Sequence, residues 1–300
     1  LKTIIITFNN VSDIAMLYRE FDLEQLETQY SPSSCIDDIN VFIQRYVDDS
    51  KSSALWAEQH QSLRSNLAYG DSEDELIDMY LPTAKQAKGK LQVYIHGGYW
   101  QQLTKDESAF AANNFQQLGC HFAVINYALA PKVRLADIVE QNRRAIAWLY
   151  LNADKFGYDA EQIYLSGSSA GGHLAMLMAQ TDWRQYGIEN GDFIKGICAV
   201  SGIYDLEPIA HTYINEPLQL SEQEIQTLSP IRLSTPQCQV IIAYGDNETS
   251  EFKRQSDDMA RRLDCASLQV ARCNHFDVIM ELSDANSTLC QQVIKQMQLA

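Results

Sequence analysis

Gln162-Ile163-Tyr164-Leu165-Ser166, then Gly167-Ser168-Ser169-Ala170-Gly171, then Gly172-His173-Leu174-Ala175-Met176-Leu177-Met178: the fold of this chain turns on these consecutive residues. The first five form a short apolar run of strand type, and the apolar series from Gly171 to Met178 has the composition of a buried helix. Between them lies the pattern G-x-S-x-G, which in a strand-turn-helix setting marks a nucleophile raised on a sharp turn. Glycines flank such a turn because its backbone is strained and a Cβ on either side would crowd it. Ser169 is thereby the candidate nucleophile, with a helix N-terminus beneath it that favours developing negative charge.

Outward from this turn the same rhythm repeats. Leu91–Ile95, His121–Asn126, Ile194–Val200 and Val240–Tyr244 are further short apolar runs, and helical patterns such as Asp106–Leu118 and Leu135–Leu151 lie between them. Buried strands alternating with helices predict a mostly parallel sheet covered on both faces, with reactive groups at the carboxyl ends of the strands. With the serine turn in place, the expected architecture is α/β, of the α/β-hydrolase fold. Glu75–Pro82 alternates in the manner of an early antiparallel hairpin strand. The segment from about 13 to 60 is mostly helical in pattern, interrupted at Tyr30-Ser31-Pro32-Ser33-Ser34, and is a candidate cap over the site. No repeat or linker divides the chain, so residues 1–300 are read as one domain.

His96-Gly97-Gly98-Tyr99-Trp100 follows the run Leu91–Ile95, where this fold supplies backbone N–H groups to an oxyanion hole. Gly97 and Gly98, with the N–H of Ala170 after the nucleophile, are the expected donors, and losing one such donor typically costs about 10²- to 10³-fold in rate. His96 is read as a brace of this loop. The base must follow the last core strand, and His275 in Asn274-His275-Phe276-Asp277 meets that requirement, whereas His60 and His121 do not. The acid belongs on the loop Gly245-Asp246-Asn247-Glu248. Glu248 is preferred because the acid commonly stands three residues beyond the strand-ending glycine, with Asp246 in reserve. Tyr99, Trp100 and Phe276 flank these groups and are candidate partners for an aromatic substrate.

Composition limits the partners. A formal charge of −16 argues against nucleic acid and anionic membrane surfaces. The seven cysteines are odd in number and scattered without a C-x-x-C pair, so they read as reduced thiols rather than bridges or zinc ligands. No apolar stretch is long enough to span a bilayer, and Leu1–Phe8 is too short and polar for a signal segment, which together predict a cytoplasmic protein. No metal or nucleotide motif is present, so no cofactor is expected, and activity should survive strong chelation.

With these residues placed, the chain resembles the kynurenine formamidase (arylformamidase) family from about residue 24 to near its C-terminus. The resemblance is carried by Leu26-Glu27-Thr28-Gln29-Tyr30-Ser31-Pro32-Ser33, Ala68-Tyr69-Gly70-Asp71, His96-Gly97-Gly98-Tyr99-Trp100, Ser201-Gly202-Ile203-Tyr204-Asp205, Ser250-Glu251-Phe252 and Asn274-His275-Phe276-Asp277. Two positions depart from the family pattern: Ser168 stands where it has histidine, and Glu248 where it has aspartate. The resemblance implies a homodimer and hydrolysis of N-formyl-L-kynurenine to L-kynurenine and formate through a formyl-enzyme. Two other readings compete. A carboxylesterase for short acyl esters would use the same groups, and a silent hydrolase-fold binding protein would lack some of them. The Tyr99-Trp100 pair and the extended resemblance favour the formamidase.

Overall fold

The computed structural model describes residues 16–299. The beginning of the expected cap segment, residues 13–15, lies outside the described residues, as do the chain ends of the expected 1–300 domain. Among the described residues, β1 (Leu63–Ala68), β2 (Leu76–Tyr80), β3 (Leu91–Ile95), β4 (His121–Ile125), β5 (Ile163–Ser168), β6 (Ile194–Val200), β7 (Gln239–Asn247) and β8 (Ser267–Asn274) form one sheet. Its order is β1-β2-β4-β3-β5-β6-β7-β8. β2 runs antiparallel to β1 and β4, and the remaining neighbours are parallel, as the change of rhythm after Pro82 predicts. Helices α1 (Leu23–Gln29) and α2 (Ile39–Gln59) precede the sheet. In chain order there follow α3 (Ala112–Gln117), α4 (Leu135–Leu151), α5 (Ala153–Phe156), α6 (Ala170–Ala179), α7 (Asn215–Leu218), α8 (Glu222–Leu228), α9 (Ser250–Arg262) and α10 (Thr288–Gln296).

Successive side chains of a strand point to opposite faces, and here both faces are apolar. Val93, Ile95, Ala123, Ile125, Ile197 and Ala199 pack on one side with Ile138 and Ile146 of α4, Leu174 of α6 and Met259 of α9. Tyr94, Phe122, Val124, Cys198 and Val200 pack on the other with Tyr46 of α2, Phe115 of α3 and Val293 of α10. Burying each large apolar side chain is worth about 1.5–3 kcal/mol relative to exposure, which explains why these strands read as continuous apolar runs.

The helix expected over Asp106–Leu118 is shorter. Lys105–Glu107 is a single tight turn capped by Thr104, and α3 starts only at Ala112. Tertiary partners take the intervening backbone: the N–H of Ala109 donates to Ser50 Oγ at 3.0 Å, and the carbonyl of Phe110 accepts from Ser53 and Ser283 at 3.3 Å each. The Ala109 N–H, its one donor spent on Ser50, is not free to close a helical turn.

The parallel strands place their carboxyl ends on one edge of the sheet. Ser169 follows β5, Ser201 follows β6, Glu248 follows β7 and His275 follows β8, so adjacent strands deliver four polar residues side by side.

Candidate active site

Ser169 sits between β5 and α6 with φ 57° and ψ −120°, a conformation that costs an L-residue on the order of 1–3 kcal/mol. Close packing holds it there. A Cβ on Gly167 would lie 2.3 Å from the carbonyl oxygen of Gly171, and one on Gly171 would lie 2.0 Å from that of Ile95, so neither flank has room for alanine. The Ser169 N–H donates to Val200 O at 2.9 Å, which ties the turn to the neighbouring strand. No side chain caps α6, leaving its first-turn N–H groups, beginning with Ala170, available to an anion.

His275 is buried at 5% exposure, and its Nδ1 lies 2.8 Å from Glu248 Oε2. The other carboxylate oxygen, Oε1, accepts from the Gly245 N–H at 2.6 Å and from Ser201 Oγ at 2.6 Å. Asp246 is half-buried, and Lys253 Nζ reaches its backbone carbonyl at 2.7 Å; the carboxylate facing the imidazole is that of Glu248. The turn carrying His275 is clamped from within. Asp277 accepts from the N–H of Asn274 at 2.6 Å, and Asn274 Oδ1 accepts from the N–H of Phe276 at 2.8 Å. Burial raises the Asp277 carboxyl above its ordinary range, opposed mainly by that Asn274 N–H.

Ser169 and His275 line a cavity of about 250 Å³ together with Gly97, Gly98, Tyr99 and Phe276. The loop after β3 is wound into left-handed conformations at Gly98 (φ 92°), Tyr99 (φ 52°) and Trp100 (φ 60°), which turns it back over the serine. Gly97 approaches the elbow so closely that a Cβ would lie 2.7 Å from Ser168 O. Tyr99 Oη donates to the carbonyl of Tyr30 at 2.5 Å, and Phe276 stacks on Phe42 with ring centroids 5.9 Å apart.

Trp100 stands apart from the cavity. Its indole is fully buried, packs edge-on against His173 at 5.0 Å and does not line the cavity. The left-handed turn sends adjacent aromatic residues in different directions, which adjacency in sequence does not reveal. His96 and His173 belong to the framework. His96 stacks on Tyr127 at 4.0 Å and its Nδ1 meets Gly97 O at 3.0 Å, while His173 Nε2 meets Leu228 O at 2.7 Å. Burial lowers both imidazoles to about 4.

Sequence reasoning missed Ser201 as a partner of the acid, although it had singled out Ser201-Gly202-Ile203-Tyr204-Asp205 as a motif. It also missed Ile39, Ile43 and Tyr46 of α2, Leu103, and Tyr213 with Ile214, which complete the cavity wall. For the three α2 residues the signal was the helical segment placed ahead of the sheet. Ser31, Pro32 and Ser33, from the interruption in that segment, line the cavity too. Among the described residues no group of three or more His, Cys, Asp or Glu side chains is arranged to hold a metal ion, and no helix is long and apolar enough to cross a membrane.

The BD-FAE family model matches residues 77–263. The chain is 35% identical over 294 residues to the kynurenine formamidase of Danio rerio, covering 93% of this chain and 97% of that one. It is 34% identical over 297 residues to the kynurenine formamidase of Salmo salar, covering 93% and 98%. Among solved structures, a Silicibacter protein provisionally described as a thioesterase superposes with a TM-score of 0.80 at 26% identity, covering 89% of this chain and 98% of that one.

Proposed function

This chain belongs to the kynurenine formamidase family, and on that premise we propose that Ser169, His275 and Glu248 hydrolyse the aryl formamide of N-formyl-L-kynurenine to L-kynurenine and formate. The observation that carries the proposal is the meeting of Ser169 and His275 at one cavity while Glu248 engages His275 Nδ1 at 2.8 Å. With Nδ1 occupied, Nε2 is the nitrogen left to exchange protons with the serine and the substrate.

In this reading Ser169 Oγ bonds to the formyl carbon as its proton passes to His275. The N–H groups of Gly97 or Gly98 and of Ala170 hold the oxyanion, acting on charge that develops only in the transition state. Collapse breaks the C–N bond, and His275 returns the proton to the departing aryl amine. Water then attacks the formyl ester, gives up a proton to His275 and releases formate, and Ser169 is restored. An aryl amine leaves more readily than an alkyl amine, which suits a site built for acyl transfer.

Tyr99 and Phe276 are the aromatic surfaces for the aryl ring. None of the described residues lining the cavity is Asp, Glu, Lys or Arg, so the amino-acid end of the substrate meets neutral partners such as Ser31, Gln101, Gln102 and Tyr213. The compartment is the cytoplasm, a reading supported by the seven cysteines, all free. A fluorophosphonate probe tests the nucleophile. It should label the protein at Ser169, and Ser169→Ala should lose both labelling and formamide cleavage; labelling that persists in the variant would refute the assignment.

A further inference from the structure

Ser201 is fully buried, immediately follows β6 and has φ 47°, a backbone region that suits glycine better than any residue with a side chain. A serine kept there retains one thing that glycine lacks, its hydroxyl. That hydroxyl donates to Glu248 Oε1 at 2.6 Å. We propose that Ser201 is a positioning residue for the reaction, holding the carboxylate of Glu248 so that its other oxygen faces His275. The inference rests on the Ser169-His275-Glu248 reading above.

The case depends on where the restraints originate. A glutamate carboxylate can swivel about its last torsion, and a single donor leaves that rotation loosely defined. Glu248 Oε1 receives two donors, and the Gly245 N–H comes from the end of β7, the strand that leads into Glu248 itself. Ser201 stands at the end of the neighbouring strand, so its bond ties the carboxylate to β6 as well. The preceding residue performs the matching task on the other side. Val200 O accepts the Ser169 N–H at 2.9 Å, and the Ser201 N–H donates to Ala243 O at 2.7 Å. The consecutive pair Val200-Ser201 thus ties the nucleophile turn to the acid loop across the strand that separates them, in the sheet order β5-β6-β7.

The test uses the full-length protein carrying Ser201→Ala or Ser201→Gly, each alone and combined with Glu248→Ala. Both single variants should lower kcat by about ten-fold or more with KM changed less than about two-fold, the pattern of an interaction expressed in the transition state. Combined with Glu248→Ala, neither should lower the rate further, because Ser201 acts through that carboxylate. The low-field proton resonance of His275 Nδ1–H should also move in both single variants, a signature that a purely packing role would leave in place. Ser201→Gly relieves the backbone strain while removing the hydroxyl, so it carries the test if the alanine variant fails to fold. Wild-type kcat in the glycine variant, or losses that simply add to that of Glu248→Ala, would overturn the proposal. If Glu248→Ala itself keeps the full rate, the triad reading fails and Ser201's role fails with it.

Discussion

At the level of single residues, two pairs of neighbours separate catalysis from scaffolding. Glu248 meets His275, whereas Asp246, two positions earlier, stands apart from the ring. Glu248→Gln should therefore lower kcat/KM by roughly 10³- to 10⁴-fold, the scale known for loss of a triad carboxylate. Asp246→Asn should stay within about two-fold, as expected away from buried networks. Steady-state kinetics of both variants checks the assignment, and the reverse ranking would transfer the acid to Asp246. Tyr99 and Trp100 form the second pair. Trp100→Ala removes a fully buried indole and should cost about 3–5 kcal/mol of unfolding free energy, read by denaturant titration, with little change in the KM of the folded enzyme. Tyr99→Phe removes only the hydroxyl that anchors the loop after β3 to Tyr30, so kcat should fall while stability drops by only about 1 kcal/mol.

At the level of elements, the segment ahead of the sheet is bound to α9 through Tyr30. Its hydroxyl donates to Glu251 Oε2 at 2.9 Å and accepts from Gln255 Nε2 at 2.7 Å, both on α9, the helix that begins just beyond Glu248. Burial, and then the negative charge of Glu251, raise the Tyr30 hydroxyl well above its usual range, so it remains a donor. Tyr30→Phe leaves those buried groups short of a partner and should cost about 1–3 kcal/mol, with a higher KM because Ser31, Pro32 and Ser33, which line the cavity, lose their anchor. Thermal unfolding alongside KM measures it, and an unchanged KM would detach the segment from the site. The strands and α4 were legible from the chain alone because both sheet faces are buried, which imposes apolar runs at β3, β5 and β6. The placing of Ser169 after β5 and of His275 after β8 was legible because a G-x-S-x-G turn and a late histidine have fixed places relative to such strands. The early end of α3, the inward course of Trp100 and the link from Ser201 to Glu248 were not, since each depends on partners far away in sequence.

At the level of the whole molecule, burial lowers three imidazoles among the described residues, those of His96, His121 and His173. His96 and His173 are lowered by burial from the ordinary 6.5 to about 4. Between those values the unfolded chain binds protons that the folded chain refuses, so their contribution is complete above about pH 6.5 and is lost as pH falls toward 4. The loss is on the order of 3 kcal/mol for each histidine. Urea unfolding from pH 7 to 4.5 should show stability declining with acid, and His173→Gln should remove about one proton from the slope; stability flat over that range would contradict the buried neutral assignment. The same sheet that buries these rings lines up the ends of β5, β6, β7 and β8, and the central claim is that this edge cleaves an aryl formamide through Ser169. The most direct measurement is kcat/KM on N-formyl-L-kynurenine beside p-nitrophenyl acetate, with Ser169→Ala as the blank. The account predicts a clear preference for the formamide that vanishes in the variant. Ester turnover with negligible formamide cleavage, or formamide cleavage that persists without Ser169, would contradict it.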